Sequence, residues 1–235
     1  MKKFIFLVCI VAIIILVSVF YSRTKNEKPT TVIVKENKKI INVSAICQYP
    51  ELPTGCESAA ATMVLQYYGT NITAQEFASN WLSCSENFYK SNNELYGPDP
   101  NEVFVGNPFS ENSYGCFASV IVKAVNENST ECKAQKITNK SLSQLCDEYI
   151  NNNKPVLIWA TMGMKESKSG KSWYLTNGER FTWTAGEHCM VLVGYSDEYY
   201  FLNDPQSGST VAFQKSIVEQ RFKELGSQAV YIYRI

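Results

Sequence analysis

The sequence predicts an α+β fold, with helices leading and a mostly antiparallel sheet following. Helix-start signatures open the first half, whereas runs of β-branched and aromatic residues cluster in the second. The scale is that of one full domain with a short appendage, since 235 residues exceed one ordinary domain but not by enough for two. A hydrophobic fraction of 45% can fill a core, and a charged fraction of 19% is too low for general disorder.

The appendage comes first. Lys2 and Lys3 precede an apolar run of 17 residues, Phe4 to Phe20. A cleavable signal carries an apolar region of about 7 to 15 residues closed by a small-x-small site. This run ends in Val19-Phe20-Tyr21 and is just long enough for one membrane span. Residues 1–22 are therefore expected to be an uncleaved single-pass membrane anchor and 23–39 a polar stalk, with a folded domain over 40–235. Arg23, Lys25 and Lys28 follow the run, so charge bias orients it only weakly. The domain is expected at the extracytoplasmic face of the cell membrane, or secreted if the segment is cleaved.

Four capping boxes punctuate the domain: Thr54 with Glu57, Thr73 with Glu76, Ser141 with Gln144, and Ser216 with Glu219. The first opens a helix to about Tyr68, closed by Gly69, in which Ala60, Met63, Val64 and Tyr67 recur at helical spacing. The second and fourth open helices at Thr73 to Leu82 and Ser216 to Leu225, with Gly226 as the terminating residue. A further helix is expected from Cys116 to about Asn126. Strands are expected at Pro155 to Thr161, His188 to Tyr195, Tyr199 to Asn203 and Ala229 to Tyr233. Asn92 to Phe109, rich in Gly and Pro, reads as a long loop, and Gly163 to Arg180 as a second one. Trp159, Trp173 and Trp183 fit a core better than a cleft lining.

Charge and cysteine content narrow the partners. Twenty-two basic residues balance 22 acidic ones, so no net field draws the chain to nucleic acid. Of the eight cysteines, Cys9 lies in the apolar run and Cys56 is singled out below. The remaining Cys47, Cys84, Cys116, Cys132, Cys146 and Cys189 permit up to three disulfides in an exported domain, with the pairing open. No C-x-x-C pair occurs, so spacing argues against a zinc site.

One cysteine has a chemical context. With Thr54 as cap, Cys56 falls in the first helical turn, where unpaired amides and the macrodipole favour a thiolate. The one histidine, His188, opens a strand, and Asp204 ends the next strand after a turn at Ser196-Asp197-Glu198. Antiparallel pairing would bring that carboxylate back beside the imidazole, where it fixes the tautomer and stabilises the imidazolium. Gln48 lies just upstream of the thiol and supplies an amide that, with the Cys56 N–H, suits an oxyanion hole.

The runs Q-Y-P-E-L-P-T-G-C-E-S-A-A-A-T-M-V-L-Q-Y-Y-G, F-V-G-N-P-F, P-V-L-I-W-A-T, G-E-H-C-M-V-L-V-G-Y and N-D-P-Q-S-G, in this order, closely resemble the bacterial cysteine-peptidase-like family related to the bacteriocin (double-glycine) leader peptidases. The resemblance covers about Val43 to the carboxy terminus. It implies a papain-like fold, a Cys56-His188-Asp204 triad, Gln48 in the oxyanion hole and a bacterial source. Two departures limit it. The leader peptidases are fused to a transporter, and this chain carries no G-x-x-x-x-G-K-[ST] motif, so leader cleavage is not implied. Gln48 also stands eight residues before Cys56, farther than in those peptidases, so its placement requires the Pro50 to Pro53 loop to fold back.

The expected activity is thiol-dependent hydrolysis of a peptide or protein substrate, needing neither metal nor organic cofactor. Transamidation on the same triad, or a catalytically silent surface binding module, are the alternatives.

Overall fold

A computed structural model describes residues 38–235. The expected anchor at 1–22, and all but the last two residues of the expected stalk, lie outside the described residues. Among the described residues, no helix is long and apolar enough to cross a membrane.

The first half runs β1 (Lys39–Ile40), α1 (Cys56–Tyr67), α2 (Ala74–Glu76) continuing as a π-turn (Phe77–Trp81), then the short strands β2 (Cys84–Ser85), β3 (Tyr89–Ser91), β4 (Glu94–Tyr96) and β5 (Phe104–Val105), and α3 (Ala118–Asn128). The second half is β6 (Cys132–Ile137), α4 (Leu142–Glu148), β7 (Val156–Thr161), β8 (Lys168–Tyr174), β9 (Arg180–Ala185), β10 (Glu187–Tyr195), β11 (Tyr199–Asp204), β12 (Ser209–Gln214), α5 (Lys215–Glu224) and β13 (Ala229–Arg234). The main sheet has the order β12-β11-β10-β7-β13-β6, with β1 pairing the far end of β10. Every one of its pairings is antiparallel.

Burial follows from composition. All six residues of β7 and eight of the nine of β10 are buried, which suits central strands covered on both faces. α1 packs on β10 and is buried over Cys56 to Leu65. Its alanines, Ala59, Ala60 and Ala61, leave no side-chain bulk to hold the helix off the sheet. Tyr68 caps α1, and Gly69 at φ +94° turns the chain away. Gly194 is required for contact: a Cβ there would lie 2.3 Å from the carbonyl oxygen of Lys39, where β1 crosses.

Two capping boxes form as expected, at Thr73–Glu76 and Ser141–Gln144, each with both reciprocal hydrogen bonds. The other two do not. Gly55, not Thr54, caps α1, and the Thr54 hydroxyl donates instead to the carbonyls of Asn107 and Ser110. Ser216 lies inside α5, which starts at Lys215, and Glu219 accepts from the Tyr200 hydroxyl. The expected loop from Asn92 to Phe109 contains β4 and β5, and the stretch from Gly163 to Arg180 contains β8, which pairs with β9. The two strands enclose a satellite core in which Trp173 and Trp183 pack with Phe88, Tyr114, Phe117 and Phe181. Trp159 is buried in the main core and donates to the Cys116 carbonyl at 2.9 Å. All seven cysteines among the described residues are free thiols; Cys116, Cys132, Cys146 and Cys189 fill the core, so no disulfide framework joins them.

Candidate active site

The packing of α1 against β10 decides what meets at the site. Cys56 is the first helical residue, and its sulfur accepts the backbone N–H of Cys189, next to His188, at 3.4 Å. The thiol thus lies against the backbone at the start of β10, but among the described residues no hydrogen bond joins it to the His188 ring. On the other side, β10 and β11 pair through Val191 with Asn203 and Leu192 with Leu202. That register, which contains a bulge before Gly194, sets the Nε2 of His188 2.7 Å from Oδ1 of Asp204. Both residues are buried. Burial alone would raise the Asp204 pKa. The hydrogen bond and charge of His188, with the Gln206 N–H donating at 2.8 Å, outweigh it and hold the carboxyl below its usual range.

The loop from Pro50 to Pro53 folds back onto Gln48. The Gln48 side-chain amide donates to the carbonyls of Leu52 at 3.1 Å and Pro53 at 2.9 Å. Its backbone N–H donates to the Pro205 carbonyl at 2.9 Å, tying this loop to the turn that carries Asp204. The amide donors are therefore engaged by the loop itself. Gly55 allows the loop to close over the helix start: a Cβ there would lie 2.9 Å from the Leu52 Cβ and 3.3 Å from that of Pro108.

The thiol departs from the expectation of a helix-activated thiolate. The Cys56 S–H donates to Oε2 of Glu57 at 3.2 Å. Burial, then the charges of Glu57 and Glu187 and the neighbouring Cys189, push its pKa well above the ordinary value; the Cys189 amide only partly opposes them. One helix end offers at most the equivalent of about half a charge, too little against desolvation and two carboxyl groups. The resting sulfur is a thiol.

Glu57 and Glu187 are the residues that motif reading passed over. Glu57 accepts the Cys116 N–H at 2.6 Å through Oε1, having turned inward rather than back to cap α1. Gly115, at φ +153°, leaves the space both carboxyls occupy: a Cβ there would lie 2.6 Å from Oε1 of Glu57 and 3.0 Å from Oε2 of Glu187. Burial raises the Glu57 pKa to about 7 despite the Cys116 amide, and burial and Glu57 raise that of Glu187 well above the carboxylate range. Burial thus favours the neutral form of both carboxyls. The legible signal was the pair G-C-E and G-E-H, each a glutamate at the head of an apolar element with no Lys or Arg beside it.

A cavity of about 550 Å³ is lined by Thr161, Met162, Gly163, Ala185, Gly186 and Gln206, with Lys165, Glu166 and Lys168; Gly186 and Gln206 are near His188 and Asp204 in sequence, but neither His188 nor Asp204 lines it. A larger one, about 730 Å³, lies between Lys136–Leu142 and the end of α5 and touches none of these residues.

The comparisons agree with this architecture. A protein from Bacillus anthracis, solved as a candidate C39-like peptidase, superposes with a TM-score of 0.73 at 28% identity, covering 85% of this chain and 99% of that one. A double glycine motif protease from an AMS/PCAT transporter, solved with its leader peptide, gives 0.50 at 15% identity over 84% of this chain and 95% of its own. These likenesses show a papain-like fold. The uncharacterized protein YvpB of Bacillus subtilis (strain 168) is 30% identical over 185 residues, 79% of this chain and 71% of that protein. The family model described as Peptidase_C39 like matches residues 40–230. The chain belongs to the Peptidase_C39 like family, a cysteine-peptidase-like one.

Proposed function

We propose that this protein hydrolyses a peptide or related amide bond with Cys56 as nucleophile, His188 as base and then acid, and Asp204 orienting His188. The observation that carries the reading is the buried 2.7 Å contact between His188 Nε2 and Asp204 Oδ1, which leaves Nδ1 as the ring nitrogen for the thiol. Family membership supports it.

In the proposed cycle the Cys56 proton passes to His188, and the sulfur forms a bond to the substrate carbonyl carbon. The negative charge that develops on the carbonyl oxygen is met by the Cys56 N–H at the start of α1 and by Gln48, once its amide releases Pro53. The C–N bond then breaks as the imidazolium protonates the leaving amine. Water, deprotonated by His188, attacks the thioester and restores the thiol. Asp204 stabilises the imidazolium throughout. Peptide is the proposed substrate class, with the 550 Å³ cavity beside Gly186 and Gln206 receiving one of its side chains. The anchor at residues 1–22, the 23–39 stalk and an extracytoplasmic domain from residue 40 belong to the same proposal and rest on the sequence.

A second reading, a binding module without turnover, is favoured by the protonated, Glu57-bonded thiol. Incubating the full chain with a peptide mixture and sequencing new amino termini by mass spectrometry separates them. New termini produced by the wild type and absent with Cys56→Ala support hydrolysis. Equal cleavage by both proteins would overturn it, and no cleavage by either would favour the binding module.

A further inference from the structure

The Cys56 sulfur and one carboxylate oxygen from each of Glu57 and Glu187 lie within 4.8 Å of one another, all three residues buried. Two features distinguish this cluster from a chance gathering of acids. Oε1 of Glu187 is buried with no hydrogen-bond partner, because the neighbouring Trp159 N–H is given to the Cys116 carbonyl at 2.9 Å. That is a costly state for a group 7% exposed. The cluster also lacks a counter-cation: the ion pairs among the described residues are Lys140–Glu148, His188–Asp204 and Arg221–Glu224, none of which touches it. Gly115, with no side chain, leaves the space beside the two carboxyls free.

We propose that Cys56, Glu57 and Glu187 form a binding site for a divalent transition-metal ion, with zinc the best fit, that closes off the nucleophile. One thiolate and two carboxylate oxygens make three of the four positions that zinc takes, the fourth falling to water. The sulfur disfavours magnesium and calcium, which take oxygen donors. Binding forms one metal–sulfur and two metal–oxygen bonds, and releases to solvent the thiol proton and whatever protons the two carboxyls carry at that pH. The absence of a C-x-x-C pair does not bear on this site, because its ligands come from two elements, the start of α1 and the start of β10. Metal binding stands apart from the peptidase reading; only its consequence, inhibition, rests on that reading.

The test uses the full chain and cobalt as a spectroscopic substitute for zinc, read without any peptide. Titration is expected to give a near-ultraviolet thiolate-to-cobalt charge-transfer band that saturates at one equivalent and is displaced by zinc. Cys56→Ser is expected to abolish the band. Glu187→Gln and Glu57→Gln, each checked for an unchanged far-ultraviolet circular dichroism spectrum, are expected to weaken zinc binding by about tenfold or more. No band, or a band undiminished in Cys56→Ser because cobalt sits on exposed Cys47 or Cys84, would overturn the site. A chain that binds cobalt but cleaves no peptide keeps the site and loses the peptidase reading; one that cleaves and shows no band does the reverse.

Discussion

Nε2 of His188 and Oδ1 of Asp204 stand 2.7 Å apart between two strands whose pairing is set by core residues, Val191 against Asn203 and Leu192 against Leu202. The contact therefore depends on the sheet and not on a flexible loop. Asp204→Asn keeps the shape but can present an amide N–H to the ring and so favour the wrong tautomer. It is expected to lower kcat by about two to four orders of magnitude with little change in KM. Steady-state kinetics on a cleaved peptide checks this, and an unchanged kcat would remove Asp204 from the triad.

Glu57 acts on the thiol from the residue next to it. Glu57→Gln removes a negative charge that raises the Cys56 pKa, so alkylation of Cys56 by iodoacetamide near neutral pH is expected to become several-fold faster. Mass spectrometry of the peptide containing Cys56 gives the rate. A slower or equal rate would mean that burial alone keeps the sulfur protonated.

The same carboxyl makes stability depend on pH with a definite sign. Its pKa rises from 4.5 in the unfolded chain to about 7 in the fold. Its contribution is therefore fully present below 4.5 and is lost as pH rises toward 7. Asp204, held low, acts in the opposite sense, losing its contribution only as pH falls below its ordinary value of 3.8. The Tm of the wild type relative to that of Glu57→Gln is expected to fall as pH is raised across the window from 4.5 to about 7. A difference that is flat or rises would contradict the buried-proton assignment.

Gly115→Ala would press a methyl group to 2.6 Å from Oε1 of Glu57 at a backbone φ of +153°. Crowding of this kind costs about 1 to 3 kcal/mol, to be read as a lower urea midpoint. An unchanged midpoint would show that the two carboxyls can move apart freely.

Much of this arrangement was legible because it is local. Thr73 and Glu76, or Ser141 and Gln144, need only each other to form a box. His188 and Asp204 are joined by a strand, a three-residue turn and a strand, so their separation in sequence already constrains their meeting. Glu57 failed as a capping residue because its partners are distant in sequence: the Cys116 amide and the space at Gly115 draw it into the core. The hairpin of β8 and β9 was missed because K-S-G-K-S-W-Y is largely exposed and polar, its one buried residue being Trp173. β6, C-K-A-Q-K-I, is an edge strand with lysines, which hides its pattern in the same way. Desolvation of the Cys56 thiol depends on the whole packed core, which no motif contains.

The proposed hydrolysis requires an acyl group on Cys56 during turnover. The full chain, supplied with an activated ester of a short peptide and quenched in acid within the first turnovers, is to be digested and the mass of the Cys56 peptide measured. An acyl adduct is expected on Cys56, formed more slowly in His188→Ala and absent in Cys56→Ala. Ester turnover with no adduct on Cys56, or turnover that survives Cys56→Ala, would contradict it.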